Sequence, residues 1–439
     1  MSFSTEKFSL LGSPIGIFGN GVTGQSVARF LQKHNIPYKI FDEFGDDEQQ
    51  FSEDYARQYK TIVKSPSFGS HHRWVQLANQ NGCYCITELD LAAHFWHGKI
   101  VAVTGTDGKT TTTTFIAHAL KNNGLVAVEC GNIGHTFIDV ADSEANTNTA
   151  WAIVEVSSFQ MDGSKMFYPD FVIWTNFAPD HLDFHKTLKN YFDCKAQLLR
   201  CMRGSNTAQR CFVGESVDQF CREHKISDLV GHYCVCEIDQ NIPMGTCFTS
   251  YPQRENFSLV KNFWKENGFS QEVLEEAARS FILPAHRLQL VTKVAHDGKV
   301  VEFWDDSKAT NFHALDAALH AFDKKVILIV GGKSKDEPLD KLCEIVHDRV
   351  KLLLLIGSTA DDVARAIDQS YGVQYRIFDK STDLKKFFED IVQYAYQMAD
   401  DGDCVVLSPG FSSLDWFRSY AERGKFFCDA VLDLNLHNK

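Results

Sequence analysis

No stretch of this chain is apolar for the roughly 18 residues that a membrane-spanning helix needs, so a bilayer span is not expected. No apolar secretory segment stands near Met1, and a reducing cytosol with free thiols is the expected setting. The thirteen cysteines lack paired metal spacing: Cys83-x-Cys85 and Cys234-x-Cys236 are too close for a usual zinc knuckle. Positive charge is in deficit. The formal net charge of −13 argues against nucleic acid as a partner, while leaving room for local basic pockets that hold phosphate. Short tandem repeats are missing too. The only low-complexity tract is the run of five threonines, Thr110–Thr114.

What remains is a globular profile, 44% hydrophobic and 23% charged. At 439 residues the chain exceeds one ordinary core, and two or three domains are expected. Short apolar runs alternate with helical patterns. Strands are predicted at Ile15–Phe18, Tyr38–Phe41, Thr61–Val63, Ile100–Val103, Trp151–Val156 and Phe171–Trp174, with a helix over Val22–Gln32. Further strands fall at Val326–Val330, Leu352–Ile356 and Cys404–Leu407. This alternation predicts an α/β fold with parallel sheets covered on both faces. Val291–Val294 and Val300–Trp304 flank His296-Asp297-Gly298, a hairpin signal. Arg203 to Asn256 shows only short β-like runs. Boundaries near 93 and 286 divide the chain into three domains, 1–93, 94–285 and 286–439.

The densest signal is Thr104-Gly105-Thr106-Asp107-Gly108-Lys109-Thr110, between the Ile100 strand and a helix carrying Phe115, Ile116, Ala119 and Leu120. Strand, glycine loop, Lys-Thr and helix form the layout of a triphosphate-binding P-loop. Lys109 reaches the β and γ phosphates in that layout, and the Thr110 hydroxyl ligates Mg²⁺. The spacing departs from the general motif, since only Thr106 and Asp107 separate Gly105 from Gly108. The loop is either a false match or a special subtype.

Gly19-Asn20-Gly21-Val22-Thr23-Gly24 follows a strand and matches the dinucleotide fingerprint, with Asp42 at the end of the next strand. Three readings stand: a nicotinamide dinucleotide, another diphosphate nucleotide, or a structural turn. Glu155 ends an apolar strand, where an acid assists Mg²⁺ in P-loop proteins, and Ser157-Ser158-Phe159-Gln160 reads as a site loop. His181 lies between Asp180 and Asp183, as a metal ligand or an ordinary surface loop; Lys195 reads by default as a helix-surface lysine. Asp305-Asp306-Ser307-Lys308-Ala309-Thr310-Asn311 opens a helix. Lys308 in its first turn is unfavourable unless an anion is near. Gly331-Gly332-Lys333-Ser334-Lys335 and Leu407-Ser408-Pro409-Gly410-Phe411-Ser412-Ser413 end two more strands. Loops at the C-terminal ends of parallel strands line the usual crevice of an open sheet.

In this order the pieces resemble the Mur ligase family. Gly105-Thr-Asp-Gly-Lys-Thr110 looks like its shortened loop. Gly131-Asn132-Ile-Gly134, Glu155-Val-Ser-Ser-Phe-Gln160, Asp180-His181-Leu-Asp183, His286-Arg287 and Asp306-Ser-Lys-Ala-Thr310 follow in order, as do Ser408-Pro-Gly-Phe-Ser-Ser413-Leu-Asp415 and Arg423-Gly424. The Ser-Ser-Phe-Gln and Ser-Pro stretches are most similar to the member that adds D-glutamate to UDP-N-acetylmuramoyl-L-alanine.

The resemblance implies three domains: Rossmann-like, P-loop ATPase-type and Rossmann-like. It implies an amide ligase in which the substrate carboxylate takes the γ-phosphoryl group of ATP and the acyl phosphate is attacked by an amine. Lys109, Glu155, His181 and Lys195 are then catalytic. ATP is held by Gly105, Thr106, Asp107, Gly108, Lys109, Thr110, Thr111, Asn256, Arg287 and Asp306. The uridine nucleotide substrate meets Gly21, Val22, Thr23, Asp42, Ser65, Pro66, Asn132, Ser157 and His181. D-Glutamate meets Lys308, Thr310, Lys335 and Ser413, with Tyr420 packed near it. Two Mg²⁺ ions are implied, on Thr110 and Glu155, and on His181 with a carbamylated Lys195, since an ammonium cannot ligate a cation. A cytoplasmic monomer whose third domain swings inward is expected. Three departures stand out. Of the family's His-Asn-x-x-Asn only Asn256 survives, Ser67 replaces a usual Gly, and Lys335 rather than Lys333 is the choice in an altered loop.

Overall fold

Sixteen strands in three sheets build the described part of the chain. The computed structural model describes residues 10–202, 207–229, 231–249, 251–296, 298–335, 338–370 and 372–437. They fall into two compact units. The first comprises the residues up to Phe177, Lys189–Thr249 and Gln253–Phe281; the second comprises Ala178–Leu188, Ser250–Pro252 and Ile282–Lys439. The expected α/β class is what the molecule has.

The first unit holds two sheets. One contains β1 (Ile15–Phe18), β2 (Tyr38–Phe41), β3 (Thr61–Lys64) and β4 (Tyr84–Thr87), all parallel, in the order β2-β1-β3-β4. Helix α1 (Val22–Lys33) follows β1, and α2 (Glu88–Phe95) follows β4 behind a Thr87/Asp90 capping box. The other sheet contains β5 (Lys99–Thr104), β6 (Ala127–Gly131), β7 (Trp151–Glu155), β8 (Phe171–Trp174), β9 (Cys211–Val213) and β10 (Cys234–Val235), in the order β10-β9-β8-β5-β7-β6. Strand β5 lies between β7 and β8 and is buried on both faces, which is why it reads as an unbroken apolar run. Helix α3 (Lys109–Asn122) leaves β5 and buries Phe115, Ile116, Ala119 and Leu120 against the core, the spacing read from the sequence. Helix α4 (Leu188–Arg200) carries Lys195, and α5 (Gln253–Glu266) carries Asn256.

The two sheets of this unit are stapled by carboxylates. Asp90 of α2 accepts from Ser164 Oγ at 2.7 Å, Lys165 N at 3.0 Å and Met166 N at 2.8 Å. Asp139 accepts from Ser26 and Arg29, and Asp142 meets Lys33 and His34.

The second unit contains β11 (Gln289–His296), β12 (Lys299–Asp305), β13 (Val326–Gly331), β14 (Val350–Ile356), β15 (Gln374–Ile377) and β16 (Cys404–Leu407), in the order β11-β12-β16-β13-β14-β15. Only β11 is antiparallel to its neighbour, pairing with β12 as the hairpin signal predicts; its turn residue Asp297 lies outside the described residues. Helix α6 (Phe312–Leu319) covers one face with the helices after β13 and β14, and α7 (Tyr420–His437) covers the other with Leu384–Met398.

Several expectations are corrected. Strands β4, β6 and β15 were not predicted. Each carries polar residues, and β15 alternates exposed and half-buried positions, as an edge strand does. Ser158–Met161 is a helical turn, not a loop, with Ser157 and Gln160 forming its capping box. The helix after Asp305 begins at Phe312, capped by the Asn311 side chain on Ala314 N at 2.8 Å, so Lys308 precedes the helix. Among the described residues no helix is long and apolar enough to cross a membrane, and the described cysteines are unpaired.

Candidate active site

In the first sheet, β1 meets β3 where the connections leave in opposite directions, the usual ligand crevice of such sheets. The Gly19–Gly24 loop and Ser65 face each other there. Ser65 Oγ is buried without a hydrogen-bond partner, 2.9 Å from where a Cβ on Gly19 would stand. Gly21 has open space around it, and Val22 is exposed at the start of α1. Asp42 directly follows β2 and accepts from Phe44 N at 3.1 Å. Next to Ser65 and Pro66 lies a residue that the sequence reading missed. Lys64 is buried and donates to Phe68 O at 3.0 Å, and burial pushes its ammonium pKa down. Lys64, Pro66, Thr87, Glu88, Leu89 and Gln160 line a recess of about 10 Å³, room for about one water. Burial raises the Glu88 carboxyl to about 7. A lysine closing an otherwise apolar strand was the available signal.

In the second sheet the switch point lies between β5 and β8, and the loop Gly105–Gly108 sits over it. Its backbone is held from β8. Asn176 O accepts from Thr106 N at 3.1 Å, Asn176 Oδ1 accepts from Asp107 N at 2.9 Å, and Thr175 Oγ1 donates to Asp107 O at 2.5 Å. Gly108 has φ +77°, and a Cβ there would come within 2.5 Å of Asn256 Oδ1. Asn256 is therefore packed on the loop. Lys109 Nζ donates to Gly105 O at 3.0 Å and Thr106 O at 2.6 Å.

Lys195 is not a surface lysine. It is 1% exposed, donates to Gly105 O at 2.7 Å and sits 4.8 Å over the Tyr191 ring. Two ammonium groups thus converge on one carbonyl, an arrangement suited to an anion or to conversion of one amine into an anionic group. Glu155 is buried; its Oε1 accepts from Asn132 Nδ2 at 3.0 Å and its Oε2 has no partner. A buried, half-satisfied carboxylate costs free energy unless a cation or donor meets it. Together with the Thr110 hydroxyl it makes the hard oxygen set that Mg²⁺ prefers, so the residues fit that ion. The Thr111 hydroxyl is likewise buried and unpartnered. Ser157 is engaged in its own helix cap, donating to Gln160 Oε1 at 3.0 Å.

In the second unit the predicted residues gather at the C-terminal ends of β12, β13 and β16. Asp306 is buried, accepts from Ser408 Oγ at 2.9 Å and Leu288 N at 3.1 Å, and is pushed by burial up to about 7, with Arg287 opposing the rise. Lys308 stacks on the Tyr420 ring at 3.8 Å, which brings those two residues together. Lys335 Nζ meets Asp180 Oδ1 at 2.9 Å, and Asn311 Nδ2 donates to Asp180 Oδ2 at 3.3 Å. His181, at φ +53°, lies beside Asp180 with Nε2 at 3.3 Å from Oδ2. Ser413 is buried, and Thr310 is half-buried beside the Asn311 cap. Gly331 and Gly332 serve backbone packing, since a Cβ on either would strike Ile356 O or Ser412 O; the glycine pair is no anion cradle.

The loops are tied together by Arg423, to which no sequence pattern gives a role. Its side chain is fully buried and donates to Ser307 Oγ at 3.0 Å, Ser307 O at 2.9 Å, Phe411 O at 3.2 Å and Gly331 O at 3.4 Å.

Family models match two parts of the chain: the Mur ligase middle domain over residues 103–225, and the Mur ligase glutamate ligase domain over 286–411. A UDP-N-acetylmuramoylalanine–D-glutamate ligase from Chlamydia pneumoniae is 30% identical over 431 residues, covering 94% of this chain and 96% of that one. The protein of the same name from Caldicellulosiruptor saccharolyticus is 29% identical, covering 97% and 100%. Among solved structures, MurF from Acinetobacter baumannii aligns with TM-score 0.58 at 14% identity, covering 93% and 98%. MurF from Thermotoga maritima in complex with ADP aligns with TM-score 0.55 at 16% identity, covering 86% and 95%. These structural likenesses extend to the fold.

Proposed function

The chain belongs to the Mur ligase family, and from that premise we propose that it is an ATP-dependent ligase that joins D-glutamate to UDP-N-acetylmuramoyl-L-alanine in peptidoglycan precursor synthesis. The names of its relatives support the amino acid. The observation that carries the chemistry is the convergence of Lys109 and Lys195 on Gly105 O, on the loop that follows the central strand of its sheet.

The substrate carboxylate attacks the γ-phosphorus of ATP, ADP leaves, and the amine of D-glutamate then displaces phosphate from the acyl phosphate. Lys109 leaves its two loop carbonyls for phosphate oxygens and neutralises the charge that gathers on them, a task of position and electrostatics. Gly105, Thr106, Asp107, Gly108 and Thr111 line the phosphate loop, and Asn256 meets the nucleotide. Thr110 and Glu155 would hold one Mg²⁺, and a carbamylated Lys195 would offer an anionic oxygen to a second; the ions supply neutralisation of phosphate charge.

Asn132 orients Glu155 and meets the substrate. Gly21, Val22, Thr23, Asp42, Ser65 and Pro66 hold the uridine diphosphate, which fits the open space at Gly21 and the free Ser65 hydroxyl better than a turn of purely structural purpose does. Arg287 and Asp306 serve ATP, and Lys308, Thr310, Lys335, Ser413 and Tyr420 serve D-glutamate. The same reading makes the protein a monomeric enzyme of the cytoplasm.

Phosphate release is measured with UDP-N-acetylmuramoyl-L-alanine, ATP, Mg²⁺ and a panel of amino acids. D-Glutamate is expected to stimulate it. Stimulation by L-alanine, a diamino acid or a dipeptide, with none by D-glutamate, overturns the choice of substrate. Lys109→Ala should abolish phosphate release while leaving uridine nucleotide binding intact; unchanged turnover refutes the role of Lys109.

A further inference from the structure

We propose that His286, Asp305 and Cys428 form a binding site for a zinc-like divalent cation, separate from the residues assigned to ATP and D-glutamate. The three side chains come from the turn before β11, the end of β12 and the middle of α7, and one ligand atom from each lies within 4.8 Å of the others. Both outer members converge on one oxygen: His286 Nδ1 stands 2.5 Å from Asp305 Oδ2, and Cys428 Sγ donates to the same oxygen at 3.2 Å. Asp305 is fully buried, and its other oxygen is taken by Ser307 N at 3.0 Å, so its direction is fixed. The cluster is also pressed against bare backbone. A Cβ on Gly424 would come within 2.3 Å of His286 Nδ1, so the imidazole lies directly on α7.

Imidazole, carboxylate and thiol are a zinc donor set, and three protein ligands leave a fourth position for water. Thiol and imidazole disfavour Mg²⁺ and Ca²⁺, which take oxygen ligands. Burial and the Asp305 charge push the Cys428 thiol well up, so it is held protonated and inert. Binding displaces the thiol proton to solvent, and the imidazole ligates through the lone pair of Nδ1, the ring nitrogen that faces Asp305. Bonds of about 2.0 Å from nitrogen and oxygen in a tetrahedron need ligand atoms about 3.3 Å apart. His286 must therefore withdraw from Asp305 by somewhat under 1 Å, which its partial exposure permits. An occupied site ties the turn that bears Arg287 to the C-terminal helix.

The test uses the full chain and Co²⁺ as a spectroscopic probe, then Zn²⁺ in competition with a chromophoric chelator. The wild-type protein should show a thiolate-to-cobalt absorption band that Cys428→Ser lacks, with Zn²⁺ affinity lower by at least about tenfold in that variant. His286→Gln should lose the band as well. Ligase turnover without added zinc should be unchanged in Cys428→Ser, which guards against misfolding as the cause. A missing band in the wild type, or an equal band in Cys428→Ser arising from other cysteines, overturns the site.

Discussion

Replacing Arg423 by Met keeps most of its volume and removes its hydrogen bonds. The guanidinium serves three backbone carbonyls, those of Ser307, Gly331 and Phe411, and the Ser307 hydroxyl, all from one buried position. Burial lowers its pKa to about 10, so it remains a cation at neutral pH. Each buried acceptor left without a donor costs about 1–3 kcal/mol, and carbonyls sit at the lower end. The loops at the ends of β12, β13 and β16 should lose about 3–6 kcal/mol of local stability. The direct assay is native-state hydrogen exchange at amides that bridge those loops: Asp306 N to Leu407 O at 2.8 Å, Gly331 N to Pro409 O at 2.9 Å, and Lys333 N to Ser412 O at 2.8 Å. Exchange there should accelerate by about a hundredfold or more. KM for D-glutamate should rise while binding of the uridine nucleotide is unchanged. Arg423→Lys should recover only part of the protection, because one ammonium cannot reach all of the oxygens that a planar fork reaches. Unchanged protection of all of these amides in Arg423→Met refutes the reasoning.

Glu88 predicts a pH dependence of stability. Burial raises its carboxyl from 4.5 to about 7, so the folded state binds the proton more tightly than the unfolded chain does. That contribution is fully present below pH 4.5 and is lost as pH rises through about 7. It amounts to about 3 kcal/mol. In urea titrations Glu88→Gln should flatten the loss over this range; an unaltered slope rejects the assignment. Asp90→Ala removes the acceptor for Thr87 N, Ser164 Oγ, Lys165 N and Met166 N from a fully buried position. It should cost about 3–5 kcal/mol in the first unit. Limited proteolysis should cut near residues 164–166 first, and wild-type resistance there rejects the staple.

Strands buried on both faces were legible in the sequence because burial leaves an unbroken apolar run, as in β5 and β13. Edge and half-polar strands were not: β15 carries Gln374 and Arg376 at exposed positions, and only its parallel pairing with β14 defines it. The site followed the same division. Residues with short-range signatures, such as Gly105–Thr110 between a strand and a helix and Glu155 at a strand end, stand out as candidates from the sequence. Residues whose role depends on distant neighbours were not. Lys195 looks like any helix lysine until its helix turns it inward onto Gly105 O. Asn176 and Arg423 act through backbone oxygens and nitrogens far away in sequence, and no local pattern announces such bonds. Lys308 was misassigned to a helix because Asp, Ser and Asn all favour N-caps, and only Asn311 is the one used.

The shortened phosphate loop shows why chain neighbours matter as much as the motif. A P-loop of general length carries four residues between its first glycine and Gly-Lys. Here two suffice, and the restraint comes from outside the loop. Asn176 holds the backbone N–H groups of Thr106 and Asp107, Thr175 holds the carbonyl of Asp107, and Asn256 closes the space over Gly108. Two loop N–H groups are thereby turned toward protein acceptors instead of toward phosphate. On the proposed reading, the cationic share of phosphate binding would then fall more heavily on Lys109. A longer loop wraps its anion with backbone; this one is braced by β8 and α5 and leaves Gly105 O exposed to two ammonium groups. In the proposed reaction that arrangement would put charge where a phosphoryl group passes to a carboxylate, which brings a second anion into the same space.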